Sequence, residues 1–222
     1  MQNLLIFDFD GVIADSEVLA NTVLAEMVSE LGVPTTLEDS YARYMGKRFD
    51  EVMAAVAETI GAPLLEDFPE RFQARGLERF RGDLEPVPGA LEFINDFAAT
   101  PQCIASASSP ARLQVCLEVL DLTASFGANV YSAAQVARGK PHPDIFLHAA
   151  AEMNVPPAHC LVIEDSASGV QGARAAGMTV IGMLAASHIQ GNHADRLLDA
   201  GADHVTETFA AAAVITREFL AS

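Results

Sequence analysis

Leu4-Leu5-Ile6-Phe7 is apolar at every position and runs straight into Asp8-Phe9-Asp10-Gly11. A strand with one wet face alternates apolar and polar residues. A run that is apolar on both faces must be covered on both, as a strand inside a parallel sheet is. Parallel neighbours need crossover connections, usually helices, so the rest of the chain should alternate between the two. Beyond Pro86-Val87-Pro88-Gly89 it does. Short apolar strands are predicted over Cys103–Ala105, Asn129–Tyr131, Leu161–Ile163, Val180–Gly182 and His204–Val205. Helices are predicted over Ala90–Ala98, Ala111–Leu120, Asp144–Met153, Val170–Ala176 and Ala210–Phe219. Alternation of this kind predicts an α/β fold built on a doubly wound parallel sheet.

The segment between the first strand and that alternation reads differently. Val18, Leu19, Val23, Leu24, Met27, Val28 and Leu31 recur at helical spacing, and Gly32 follows as a stop. Two more helices fit Glu51–Ile60 and Glu66–Arg81, with no strand signal among them. A lone strand is not stable, so the first one must join the later sheet. The expected organisation is an α/β core over residues 1–15 and 86–222, with an all-helical cap inserted over residues 16–85.

The charge balance narrows the partners. There are 13 basic and 30 acidic residues, a net charge of −17. Nucleic acid needs clustered Lys and Arg, and an anionic membrane surface needs the same, so neither is expected. No apolar run approaches membrane-spanning length. The N-terminus lacks a basic region and reads as a strand rather than a signal peptide. Three cysteines, Cys103, Cys116 and Cys160, form neither a disulfide framework nor a zinc spacing and are expected as small buried hydrophobes. A reducing cytoplasm fits this pattern. No protein partner is predicted.

Open α/β sheets bind ligands beyond the carboxyl ends of their strands. Residues beyond the predicted strand ends are Asp8 and Asp10, then Ser106-Ala107-Ser108-Ser109, then, in the stretch after the third strand, Lys140 within Gly139-Lys140-Pro141, then Glu164-Asp165-Ser166. Four carboxylates on one rim repel one another unless a cation is present, and a few hard oxygen ligands suit Mg²⁺. Lys140 and the backbone N–H groups there would cradle an anionic phosphate. An aspartate in such a place can attack phosphorus, and a second carboxylate two residues on can protonate the leaving oxygen and then activate water.

Asp8-Phe9-Asp10-Gly11-Val12, the serine after the second strand, Gly139-Lys140-Pro141-His142-Pro143-Asp144 and Ile163-Glu164-Asp165-Ser166 resemble the four motifs of the haloacid dehalogenase superfamily. Their order and spacing resemble its β-phosphoglucomutase-like branch, with a helical cap inserted after the first motif, and the resemblance spans nearly the whole chain. It implies Asp8 as nucleophile and metal ligand. It implies Asp10 as general acid/base, binding metal through its carbonyl. Ser106 and Lys140 would hold phosphate, with Phe9 and Ala107 beside them. Asp165 would bind Mg²⁺ directly and Glu164 through the metal's water, and Gly11 would let the backbone turn past the phosphate. An acid at position 10 is what phosphate-ester members carry. Sugar-phosphate mutases hold a second phosphate with an Arg shortly after the cap's glycine. Here Gly46 is followed by Lys47, Arg48 and Phe49, so Phe49 stands where that Arg would be and Lys47 or Arg48 remains to face substrate.

The expected activity is Mg²⁺-dependent hydrolysis, through an aspartyl-phosphate, of a monoester of a small metabolite: a sugar, sugar-alcohol or sugar-acid phosphate, phosphoglycolate included. A hexose phosphate mutase is the alternative enzyme. A phospho-aspartate signalling receiver is the alternative of another class, though its phosphorylated Asp follows the third strand and it has no inserted cap. Ser108 and Ser109, just before Pro110, read as helix caps. Arg71 and Arg75 read as surface ion-pair residues. His188 and His193 read as surface positions.

Overall fold

The computed structural model describes residues 2–45 and 49–221. The chain divides into two compact units, Met1–Asp15 with Glu85–Ser222, and Ser16–Leu84. Strand β1 is Leu4–Phe7, and all four of its side chains are fully buried. Leu4 and Ile6 join Ile145, Phe146 and Val170 in one apolar cluster. Phe7, pointing to the opposite face, meets Phe93 and Phe126 edge-on at 5.9 and 6.0 Å between ring centres. Burying each such side chain contributes about 1.5–3 kcal/mol, which is why this run sits at the centre of the sheet.

The second unit contains α1 (Glu17–Glu30), α2 (Leu37–Tyr44), α3 (Phe49–Ile60) and α4 (Phe68–Asp83). Val23, Leu24, Met27 and Val28 of α1 pack with Tyr44, Val56 and Phe68 to make its own core. Arg75 of α4 bonds Glu30 at 2.7 Å, and Arg79 bonds Glu26 at 3.0 Å, tying α4 to α1. These pairs are about a third or more exposed, so each contributes at most about 1 kcal/mol. Helix α2 was not expected. Of its eight residues only Ser40 and Tyr44 are buried, so there is no apolar stripe to read; a capping box between Thr36 and Asp39 starts it instead.

The first unit continues with α5 (Ala90–Asp96), β2 (Gln102–Ser106), α6 (Pro110–Val119), α7 (Thr123–Phe126), β3 (Val130–Ser132) and α8 (Asp144–Glu152). It then runs through β4 (Cys160–Glu164), α9 (Ala167–Ala175), β5 (Thr179–Met183), α10 (His193–Asp199), β6 (His204–Thr206) and α11 (Phe209–Ala221). The six strands form one parallel sheet in the order β3-β2-β1-β4-β5-β6. Helices α7 and α10 were also missed: the first has four residues, and the second buries only Leu197. The chain leaves and re-enters this unit at adjacent points, with Asp15 N–H donating to Glu85 O (3.0 Å) and Val87 N–H to Ile13 O (2.8 Å). No helix of the described residues is long and apolar enough to cross a membrane.

Candidate active site

Strand β1 has β2 on one side and β4 on the other, and the strand order reverses there. That reversal opens a crevice beyond the carboxyl ends of β1 and β4. Asp8 occupies it: its N–H extends the ladder to Ile163 O at 2.9 Å, and its side chain starts where the sheet stops. Carboxylate oxygens of Asp8, Glu164 and Asp165 come within 4.8 Å of one another, and all three residues are buried. The Lys140 ammonium sits between two of them, 2.7 Å from Asp8 Oδ1 and 2.5 Å from Glu164 Oε1, and 5.2 Å above the Phe146 ring.

Burial is the largest influence on the Asp8 carboxyl and pushes its pKa well above the ordinary value; Lys140 pulls the other way, while the Glu164 and Asp165 charges push it up further. For Lys140 burial disfavours the charged form, but the Asp8 and Glu164 carboxylates outweigh it and the pKa rises. The cluster thus holds three carboxylates, two of them paired with one ammonium. The deficit of positive charge and the all-oxygen donor set fit a hard divalent cation.

Local structure explains how each group is held. Glu164 is fully buried and accepts from Lys140, from Ser166 N–H (2.9 Å) and from Ser166 Oγ (2.9 Å). Space for it exists because residue 169, in the first turn of α9, is glycine: a Cβ there would overlap the Glu164 carboxyl group. Asp165 is approached by His188 Nε2, 3.3 Å from Oδ2, and its carbonyl accepts from His193 Nε2 at 2.6 Å. His188 is 6% exposed, so the expectation of a surface position is overturned for it, and His193 is half-buried. The loop after β5 carries His188 in and the start of α10 carries His193, which nothing in their spacing signalled. Gly11 has φ +78°, and a Cβ on it would overlap Asp165 Oδ2 and press on His188 Cε1. What its missing side chain makes room for is therefore Asp165 and His188.

Asp10 is held by a separate set of donors. Its Oδ2 accepts from Ser108 Oγ at 2.5 Å and its Oδ1 from Arg112 Nη2 at 2.5 Å, both from the β2–α6 connection and α6 itself. Ser109 caps α6 as expected, whereas Ser108 does not: its N–H donates to Ser106 Oγ (3.1 Å) and its carbonyl accepts from Ser132 Oγ (2.6 Å). Ser106, at the end of β2, is buried, and Ala107 is exposed. The Phe9 ring is fully buried, so Phe9 offers the site only its backbone. Lys47 and Arg48 lie outside the described residues. Phe49 stacks on Phe72 at 6.3 Å.

Residues 2–177 match the haloacid dehalogenase-like hydrolase family. A 6-phosphogluconate phosphatase of Escherichia coli (strain K12) is 30% identical over 183 residues, covering 82% of this chain and 82% of its own. Among solved structures, a conserved haloacid dehalogenase-like protein of Agrobacterium tumefaciens C58 is 38% identical, with a TM-score of 0.85 over 98% of this chain and 99% of that one. A candidate β-phosphoglucomutase of Thermotoga maritima is 29% identical, with a TM-score of 0.80 over 98% and 99%. Motifs, sheet order and sequence similarity agree: the chain belongs to the haloacid dehalogenase-like hydrolases, on their β-phosphoglucomutase-like branch.

Proposed function

We propose that this phosphoric monoester hydrolase acts on a sugar, sugar-alcohol or sugar-acid phosphate, with Asp8 as its nucleophile. The observation that carries the reading is the grouping of Lys140, Glu164 and Asp165 around the buried Asp8 carboxyl group, with the Asp10 carboxyl group two residues further along the chain and held by its own donors. A buried carboxylate with a raised pKa is a poor structural element but a fit nucleophile once cations offset its neighbours.

In this reading an Asp8 oxygen forms a bond to phosphorus as the ester P–O bond breaks. The proton for the departing alkoxide comes from Asp10. Asp10, now a carboxylate, removes a proton from water as that water attacks the aspartyl-phosphate, and the Asp8 carboxylate leaves. Proton and charge counts then return to their starting values. Ser106 and Lys140 hold the phosphoryl oxygens. Asp8, Asp165 and the Asp10 carbonyl would hold Mg²⁺, with Glu164 outside them, and the ion would screen carboxylate from phosphate. Three buried free thiols support a reducing, cytoplasmic setting.

Phosphate release from a panel of sugar, hexitol and sugar-acid phosphates tests the proposal. Release should require Mg²⁺ and vanish in Asp8→Asn. Glucose 1-phosphate with a bisphosphate primer should give free phosphate and little glucose 6-phosphate, because Phe49 brings no cation for a second phosphate. Stoichiometric isomer formation without phosphate release would replace the phosphatase reading with a mutase.

A further inference from the structure

Arg112 occupies an unfavourable place for a cation. It is the third residue of α6, after Pro110 and Ala111, and its own N–H donates to the Ser109 cap. The positive end of a helix dipole disfavours a cation there by about 0.3–1 kcal/mol. Its side chain turns back to Asp10, a residue 102 positions earlier. The pair is largely sheltered, with Arg112 25% and Asp10 15% exposed. One helical turn on, the fully buried Cys116 thiol lies in the field of both groups. Ser108 holds the other Asp10 oxygen, and Ser108 is itself braced by Ser132. Each Asp10 oxygen therefore has its own donor, from two different anchored backbone positions.

We propose that Arg112, with Ser108, is a positioning residue that fixes the Asp10 carboxyl group for its acid/base work. The proposal rests on the phosphatase reading. A carboxyl group three residues beyond the end of a strand, on a turn whose next residue has positive φ, belongs to no helix or strand that would orient it. Two donors on separate oxygens determine both its direction and the rotation of its plane. A bidentate-capable guanidinium set by a helix start does this better than the flexible point charge of a lysine. Loss of alignment by even about 1 Å at a reacting group costs on the order of 10²-fold in rate.

The test uses leaving-group dependence, which a merely structural role would not produce. Protonation matters for an alkoxide and little for p-nitrophenolate. kcat/KM ends at release of the alcohol, so it isolates the step in which Asp10 acts as acid. Wild type, Arg112→Gln, Arg112→Lys and Ser108→Ala are compared on p-nitrophenyl phosphate and on the best alkyl phosphate of the panel. Arg112→Gln should lose roughly 10–100-fold on the alkyl ester and less than about 3-fold on the aryl ester. Arg112→Lys should be intermediate, and Ser108→Ala should show the same selective pattern more weakly. Thermal melting of each variant reports folding separately, and Ser108→Ala keeps the test alive if Arg112→Gln does not fold. Equal losses on both esters, or no loss, overturn the inference while leaving the phosphatase reading intact. A wild type active on the aryl ester alone has no use for an aligned acid and also overturns it. A wild type that releases phosphate from neither ester removes both.

Discussion

Gly169→Ala should destabilise this protein severely, although the same change in an ordinary helix stabilises it by about 0.5–1 kcal/mol. The new methyl group would occupy the volume of the Glu164 carboxyl group, which is fully buried and cannot step aside into solvent. Moving Glu164 breaks its bonds to Lys140, Ser166 N–H and Ser166 Oγ, at 2.5, 2.9 and 2.9 Å. Hydrogen bonds to charged groups contribute about 1.5–3 kcal/mol each, and disrupting a buried ion pair typically costs about 3–5 kcal/mol. A net loss of roughly 3–5 kcal/mol is expected, a large part of the total stability of a typical domain at about 5–15 kcal/mol. Urea denaturation without metal at neutral pH measures it from the midpoint and slope. A cycle with Glu164→Ala isolates the cause. In that background the obstructing carboxyl is gone, so adding Gly169→Ala should be neutral or mildly stabilising, and the double variant should be far closer to Glu164→Ala than Gly169→Ala is to wild type. A Gly169→Ala protein as stable as wild type, or a penalty that persists without the Glu164 side chain, would refute the reasoning.

Two further outcomes follow from burial. Cys116 and Cys160 have thiols pushed up to about 12, burial being the main cause, and Cys103 is pushed higher still. At about pH 8 roughly one such thiol in 10⁴ is ionised, so iodoacetamide should label none of the three until the protein is denatured; stoichiometric native labelling would contradict their placement. Asp8 has a raised pKa in the folded protein, so its contribution to stability is full below the unfolded carboxyl value of about 3.9 and is lost as pH rises through the folded value. Metal-free wild type should therefore lose more thermal stability than metal-free Asp8→Asn as pH rises above the unfolded value, with Mg²⁺ stabilising wild type more at the upper pH. Parallel pH profiles for the two proteins would exclude Asp8 as the source.

Periodicity recovered the elements that bury a continuous apolar surface. Leu4–Phe7 could be read because every position is apolar, and α1 because its stripe is repeated over four turns. Helices α2, α7 and α10 escaped because short polar helices with one or two buried residues carry almost no periodic signal. The rim residues Asp8, Lys140, Glu164 and Asp165 could be listed together because each lies at or beyond the carboxyl end of a strand, and parallel strands end on one edge. Arg112 left a faint trace, a cation at a helix start, but no sequence rule names a partner 102 residues away. His188 left none: a lone histidine in a loop is indistinguishable from a solvated one until the loop is seen to fold onto Asp165. No residue pattern marks Gly169, because its meaning lies in the volume of a carboxyl group from the preceding strand.

By itself the sequence determined the buried parallel sheet, the helical insertion after its first strand and the set of groups delivered to one edge, because those follow from hydrophobic patterning and strand direction, which are local properties. Only the tertiary structure decided which oxygen each donor meets, that Lys140 stands between Asp8 and Glu164, and that Asp10 is held by Ser108 and Arg112. Those facts depend on side-chain directions and on the spare volume left between packed elements, and neither exists until the elements have met.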